Sequence, residues 1–249
     1  MERILEVCVD SLASARAAIN GGADRIELCS ALALGGLTPY NALLRQIRDE
    51  SNIPIRCLIR PRSGDFLYDS NEIRLMASQI QELKAAGADG FVIGCLTSLG
   101  DLDDDAMKPL IDAAAGAALT LHRCIDVSCD PMETYLQAEF LGFDTVLTSG
   151  AAASCMAGLD TIGALLRLRD ERNGPEVLIG AGVTSDNIKT ILSRFPHAKA
   201  FHASCKCMIE SNMRFRRSDV PMGLPGLDEW HIQQNEESAV RAAKNALQA

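Results

Sequence analysis

At 249 residues, with 47% hydrophobic but only 4% aromatic residues, the chain has the size and aliphatic make-up of one large α/β domain. Its 33 acidic residues against 24 basic ones leave a formal charge of −9, which opposes a phosphate backbone and argues against nucleic acid as a partner. No apolar stretch approaches the roughly 20 residues that cross a bilayer, and Met1-Glu2-Arg3-Ile4-Leu5 leads into a strand without a signal-peptide core, so a cytoplasmic protein with no membrane partner is expected. Nine cysteines, an odd number set mainly at strand ends, point to reduced thiols instead of a disulfide framework.

Eight short apolar runs follow one another along the chain: Ile4 to Cys8, Arg25 to Cys29, Ile55 to Arg60, Gly90 to Cys95, Leu119 to Cys124, Thr145 to Ser149, Val177 to Gly180 and Lys199 to Ser204. Between them lie segments of helical period. Ile73, Met76, Ile80 and Leu83 recur at steps of three and four, as do Ile188, Ile191, Leu192 and Phe195. This alternation predicts a TIM (β/α)8 barrel in a single domain, residues 1–249. Gly22-Ala23-Asp24, Gly87-Ala88-Asp89 and Gly142-Phe143-Asp144 each precede a strand and read as worn repeats of one β/α unit, with the glycine stopping the helix in the left-handed conformation. The one long irregular stretch, about 205–230, is expected to be a lid or a subunit contact, and a last helix is expected over about 233–246. An apolar patch on Met208 to Leu227 would serve homo-oligomeric assembly.

In such a barrel, polar groups at the strand C-termini read as a site. The first strand is expected to close on Glu6, the second on Glu27, the third on Arg60 and Arg62, the fifth on His122, Arg123 and Asp126, and the eighth on His202. Leu5-Glu6-Val7-Cys8 and Ile26-Glu27-Leu28-Cys29 each place glutamate and cysteine two residues apart, hence on one side of the strand. If these strands are neighbours, about 4.8 Å apart, Glu6, Cys8, Glu27 and Cys29 gather at one corner of the mouth, where two thiolates could clamp a soft ion such as Cu(I). Equally, cysteine packs as a small buried hydrophobe.

Other motifs fit a small anion. Arg60 and Arg62 flank Pro61, and arginine forks suit carboxylate or phosphate, or else ion-pair with Glu27 or Asp65. His122 with Arg123 and Asp126 offers acid/base chemistry. Ser149 after strand six, and Gly180 and Gly182 after strand seven, offer backbone N–H groups where barrels hold phosphate, although glycine also serves the turn itself. Cys205 and Cys207 follow strand eight and could extend a thiol cluster toward Cys8.

The strings ADRIELC, GGLTP, IRPRSGDFLY, LHRCID, VLTSGA, GAGVTSDN and FHAS, in this order along nearly the whole chain, resemble the CutC copper-homeostasis family. The resemblance implies a TIM barrel, a cytoplasmic setting, homo-oligomeric assembly and a role in handling Cu(I), with Cys8 and Cys29 as the copper ligands. Two departures stand out. Ser63 replaces the first glycine of the family's usual IRPRGGDF, and Cys124-Ile125 stands within the motif that usually reads HRAFD, which is expected to add a thiol at the mouth.

Two functions follow from these readings. In one, the chain binds Cu(I) through Cys8 and Cys29, with Glu6 and Glu27 supplying negative charge. In the other it is an enzyme of unknown reaction on a small anionic metabolite: Arg60, Arg62 and Arg123 hold the anion, His122 with Glu27 or Asp126 moves a proton, and Ser149, Gly180, Gly182 and His202 complete the pocket.

Overall fold

The computed structural model describes residues 3–217, 219, 220, 223 and 228–248. Part of the expected Met208 to Leu227 patch therefore lies outside the described residues. Eight parallel strands pair in sequence order and close, β8 on β1: β1 (Ile4–Val9), β2 (Arg25–Leu28), β3 (Ile55–Leu58), β4 (Gly90–Ile93), β5 (Ala118–Leu121), β6 (Thr145–Thr148), β7 (Glu176–Ile179) and β8 (Ala200–Ala203). The chain is a TIM barrel. Seven helices follow the strands: α1 (Leu12–Gly21), α2 (Asn41–Glu50), α3 (Ser70–Ala85), α4 (Asp104–Ala114), α5 (Pro131–Phe140), α6 (Leu159–Arg172) and α7 (Ser185–Arg194). Leu5, Val7 and Val9 turn outward into the helix layer with Ile73, Met76, Ile80 and Ile188, all in one buried cluster.

The helix starts are written locally. Ser11, Asp103 and Asp130 each accept a backbone N–H of the first turn, and Asp69 with Glu72 and Thr184 with Asn187 form capping boxes. The repeated exits share more than a stop. Gly22, Gly87 and Gly142 take φ of 91°, 105° and 81°. The aspartate two residues on then bonds the strand before it in both directions. Asp24 accepts the Leu5 N–H at 2.7 Å, Asp89 that of Ile55 at 2.7 Å and Asp144 that of Leu119 at 2.7 Å. Their own N–H groups return to the carbonyls of the same three residues. These clasps lie at the strand N-termini, the stability face of the barrel, and leave the opposite face for a site.

Two elements differ from expectation. Lys206–Glu210 (β9) and His231–Asn235 (β10) pair antiparallel as a ribbon, inside a stretch expected to be irregular. Consequently α8 (Glu237–Gln248) begins four residues later than expected, because Gln233 to Asn235 are committed to the ribbon. Helix α8 then packs against α1, where Gly21 leaves room for Val240; a Cβ there would stand 2.5 Å from the valine Cβ.

Glu6 does not close β1, which runs on to Val9. It pairs in register with Arg25, the first residue of β2, and so lies one layer below the mouth. That layer is ionic. Arg25 Nε donates to Glu6 Oε2 at 2.5 Å, and Arg56 donates to Thr120 and, at 2.9 Å, to Thr145 Oγ1.

Candidate functional site

Strand alternation sends Glu6 and Cys8 of β1, Glu27 of β2 and His202 of β8 into the barrel, and pairing of β1 with both neighbours brings them together. One ligand atom each from Cys8, Glu27 and His202 lies within 4.8 Å of the others. His202 Nδ1 meets Glu6 Oε1 at 2.8 Å, which turns Nε2 toward Glu27 Oε2, 3.7 Å away. Burial would raise the Glu6 carboxyl, but Arg25, His202 and Arg56 outweigh it and hold it at about 2. Burial likewise works against a charged His202, yet Cys8, Glu27 and Glu6 keep its proton affinity well above that of an ordinary imidazole. Glu27 is raised, because burial exceeds the help of His202.

Cys29, expected beside Cys8 as the second thiolate, lies outside this group of three. Its Sγ donates to Glu27 Oε2 at 3.5 Å and packs with Leu58 and Val92, fully buried. Burial and the neighbouring Glu27 push its thiol well above the usual value. Cys124, expected at the mouth, is instead sealed in the main core. Cys205 is half-buried just after β8, and burial lifts its thiol to about 11; Cys207 lies on the ribbon.

Above the cluster opens a cavity of about 360 Å³ lined by Cys8, Glu27, His202, Ser204 and Lys206 on one side and by Arg60, Phe66, His122 and Arg123 on another. Arg60 donates to the carbonyls of Leu34, Gly36 and Gly64 at 3.1, 3.0 and 2.8 Å, tying the loops after β2 and β3. Its neighbour Arg62 does not line the cavity. It bonds Glu72 at 2.6 Å and Asp65 at 3.0 Å, fastening the same loop to the start of α3. His122 Nδ1 accepts the Cys124 N–H at 3.1 Å, and burial together with Arg60 holds the ring at about 3, so it is neutral. Gly94 makes this packing possible, since a Cβ there would lie 2.5 Å from Cys124 Sγ and 2.6 Å from His122 Cε1.

Both Asp126 oxygens are occupied, by Thr148 Oγ1, the N–H groups of Ser149 and Ala151, and Arg123 Nε. Asp126 thus joins the turn after β5 to the loop after β6. Ser149 Oγ accepts from Arg123 at 3.0 Å and donates to the Ala152 carbonyl. Gly180 and Gly182 lie off the cavity wall. The Gly180 N–H is spent on the Thr148 carbonyl, and a Cβ there would meet Leu147 Cδ1 at 2.6 Å.

Sequence reasoning passed over several residues of the site. Asn235 is buried and donates to the carbonyls of Cys8 and Ser204 at 3.0 and 2.5 Å, pinning the ribbon across the ends of β1 and β8. The ribbon in turn carries Lys206 to the rim. Arg25 and Arg56 were legible in principle, as charges placed at inward positions of otherwise apolar strands.

The likeness to known proteins agrees with this fold. The CutC family profile matches residues 3–207. A CutC family protein of Porphyromonas gingivalis is 41% identical over 245 residues, covering 98% of each chain. The human copper homeostasis protein cutC homolog is 40% identical over 250 residues, covering 98% of this chain and 90% of its own. Among solved structures, CutC from Streptococcus agalactiae superposes with a TM-score of 0.75 at 29% identity, over 81% of this chain and 99% of that one. The 3-hexulose-6-phosphate synthase of Salmonella typhimurium, at 15% identity, 98% coverage of both chains and a TM-score of 0.58, shares the fold alone. With a family match over most of its length and full-length relatives at about 40% identity, the chain belongs to the CutC family.

Proposed function

We propose that this protein binds Cu(I) at the barrel mouth, with Cys8 as the thiolate anchor and His202 Nε2 as its partner, the ion displacing to solvent the Cys8 thiol proton and the Nε2 proton that the surrounding acidic groups otherwise hold on the ring. The observation that carries this reading is the convergence of Cys8, Glu27 and His202 within 4.8 Å, with His202 Nδ1 held by Glu6. A carboxylate on the far nitrogen is the usual way a metal-binding histidine is oriented. The donor chemistry fits the ion: thiolate is soft and selects Cu(I), imidazole suits copper, and the harder Glu27 oxygen supplies charge beside it. Cys29 is the second thiol of the expected pair. It can join only by giving up its bond to Glu27 and a thiol proton that burial and the Glu27 charge hold well above the usual thiol range.

The free state of all nine cysteines suits a reducing compartment, and membership of a family whose human relative is named for copper homeostasis supports copper as cargo. Copper-edge X-ray absorption on the Cu(I)-loaded protein tests the ligand set. The expected shell contains sulfur and imidazole nitrogen. A shell of two sulfurs would replace His202 by Cys29, and a shell without sulfur would contradict the proposal.

A further inference from the structure

The Arg60 and His122 side of the cavity is not used by the copper cluster, and it carries two unanswered donors. Arg60 and His122 are only 8% and 5% exposed. Yet Arg60 Nε and His122 Nε2 have no hydrogen-bond partner. Buried N–H groups are almost always paired, so two in one cavity wall point to a missing acceptor. His122 Nδ1 is already an acceptor for the Cys124 N–H, which fixes the neutral ring as the tautomer with its proton on Nε2. Burial and the Arg60 charge keep that ring neutral at ordinary pH, so Nε2 is a donor and not a base. Among the described residues no carboxylate pairs with Arg60; its other nitrogens are fixed by three carbonyls, so the guanidinium is held in place with its charge uncompensated. Both groups pack on one ring: His122 lies against Phe66 with centroids 4.6 Å apart and the rings tilted by 42°, and Arg60 Cζ lies 5.3 Å from the Phe66 centroid.

We infer that this half of the cavity is a binding site for a small oxyanion, held by the N–H groups of Arg60 Nε and His122 Nε2. A charged donor beside a neutral one favours an anion over a neutral ligand, and Arg123 and Lys206, which also line the cavity, add positive charge. Leu34, Leu58, Leu147 and Phe66 form the rest of the wall, so the ligand class is a carboxylate with a short apolar body, entering past the half-exposed Phe66 ring. The site stands on its own donors and does not depend on copper.

The test is an NMR titration of the metal-free full chain with acetate, butyrate and inorganic phosphate in turn, following the Arg60 Nε–H and His122 Nε2–H resonances. Saturable shifts of both resonances with one midpoint are expected, tighter for butyrate than for acetate. A phosphate response tighter than both carboxylates would keep the oxyanion site but reassign its ligand to phosphate. His122→Phe, which keeps a ring in the wall and removes the donor, should weaken binding at least tenfold. No saturable shift with any of the three anions, or shifts confined to Arg123 and Lys206, would overturn the inference.

Discussion

Glu6 shows how much of this site is fixed one layer beneath it. Its carboxylate bonds Arg25 and His202 without any exposure to solvent, and removing one member of such a buried ionic set leaves the others uncompensated. Glu6→Gln is expected to cost about 3–5 kcal/mol at neutral pH, read by urea unfolding. The pH dependence has a definite sign. The folded carboxyl, at about 2, lies below its ordinary 4.5, so the ionised form stabilises the fold above about pH 4.5 and that contribution is lost as pH falls toward 2. The substituted chain should therefore lose less stability than the native one across that window; parallel acid limbs would show that Glu6 is not held by its partners. Gly94 is a second such point. Gly94→Ala forces a methyl against Cys124 and His122, and a loss of about 1–3 kcal/mol in the same assay is expected. An unchanged midpoint would mean that the wall carrying His122 is looser than the packing shows.

Among the elements, the β9–β10 ribbon is the part that the sequence disclosed least. Lys206-Cys207-Met208-Ile209-Glu210 lacks clean alternation, and although Ser211-Asn212 follows as a turn signal, its partner strand begins more than twenty residues later. Pairing across such a gap leaves no local trace. The barrel strands were legible because each is a short apolar run between capped helices, and the Gly-x-Asp exits repeat visibly. What the repeat could not disclose is that each aspartate clasps the strand before it. The candidate site divides the same way. Cys8, Glu27, Arg60, His122, Arg123 and His202 were found from strand ends and do line the cavity, whereas Arg62 and Asp126 have the same residue chemistry but spend it on loop anchoring. Periodicity locates a side chain on a face; it does not reveal whether its hydrogen bonds are already taken. Asn235 escaped notice for the converse reason, because a lone amide in a polar segment carries no pattern. Asn235→Ala should release the ribbon from the ends of β1 and β8. Faster amide exchange over residues 206–210 and 231–235, with the barrel strands still protected, is the expected result. Uniform loss of protection would make Asn235 part of the global core, and no change would show that it does not hold the ribbon.

For the molecule as a whole, the barrel separates two duties. The strand N-termini carry the aspartate clasps, an ionic layer fills the interior above them, and the mouth holds a thiol–imidazole–carboxylate cluster beside a wall of buried nitrogen donors. With an overall charge of −9, the chain nonetheless gathers Arg60, Arg123 and Lys206 around one opening. Those cations repel a bare metal ion, so in the proposed copper site the attraction would have to come from Cys8, with Glu27 and Glu6 supplying the opposing charge. An anaerobic Cu(I) titration against a competing chelator tests this most directly, run on the native chain and on Cys8→Ser, His202→Gln and Cys29→Ser. One-to-one binding that falls at least a hundredfold in Cys8→Ser, clearly in His202→Gln and least in Cys29→Ser is the expected pattern. Binding that is weak in the native chain, or indifferent to Cys8, would contradict the account.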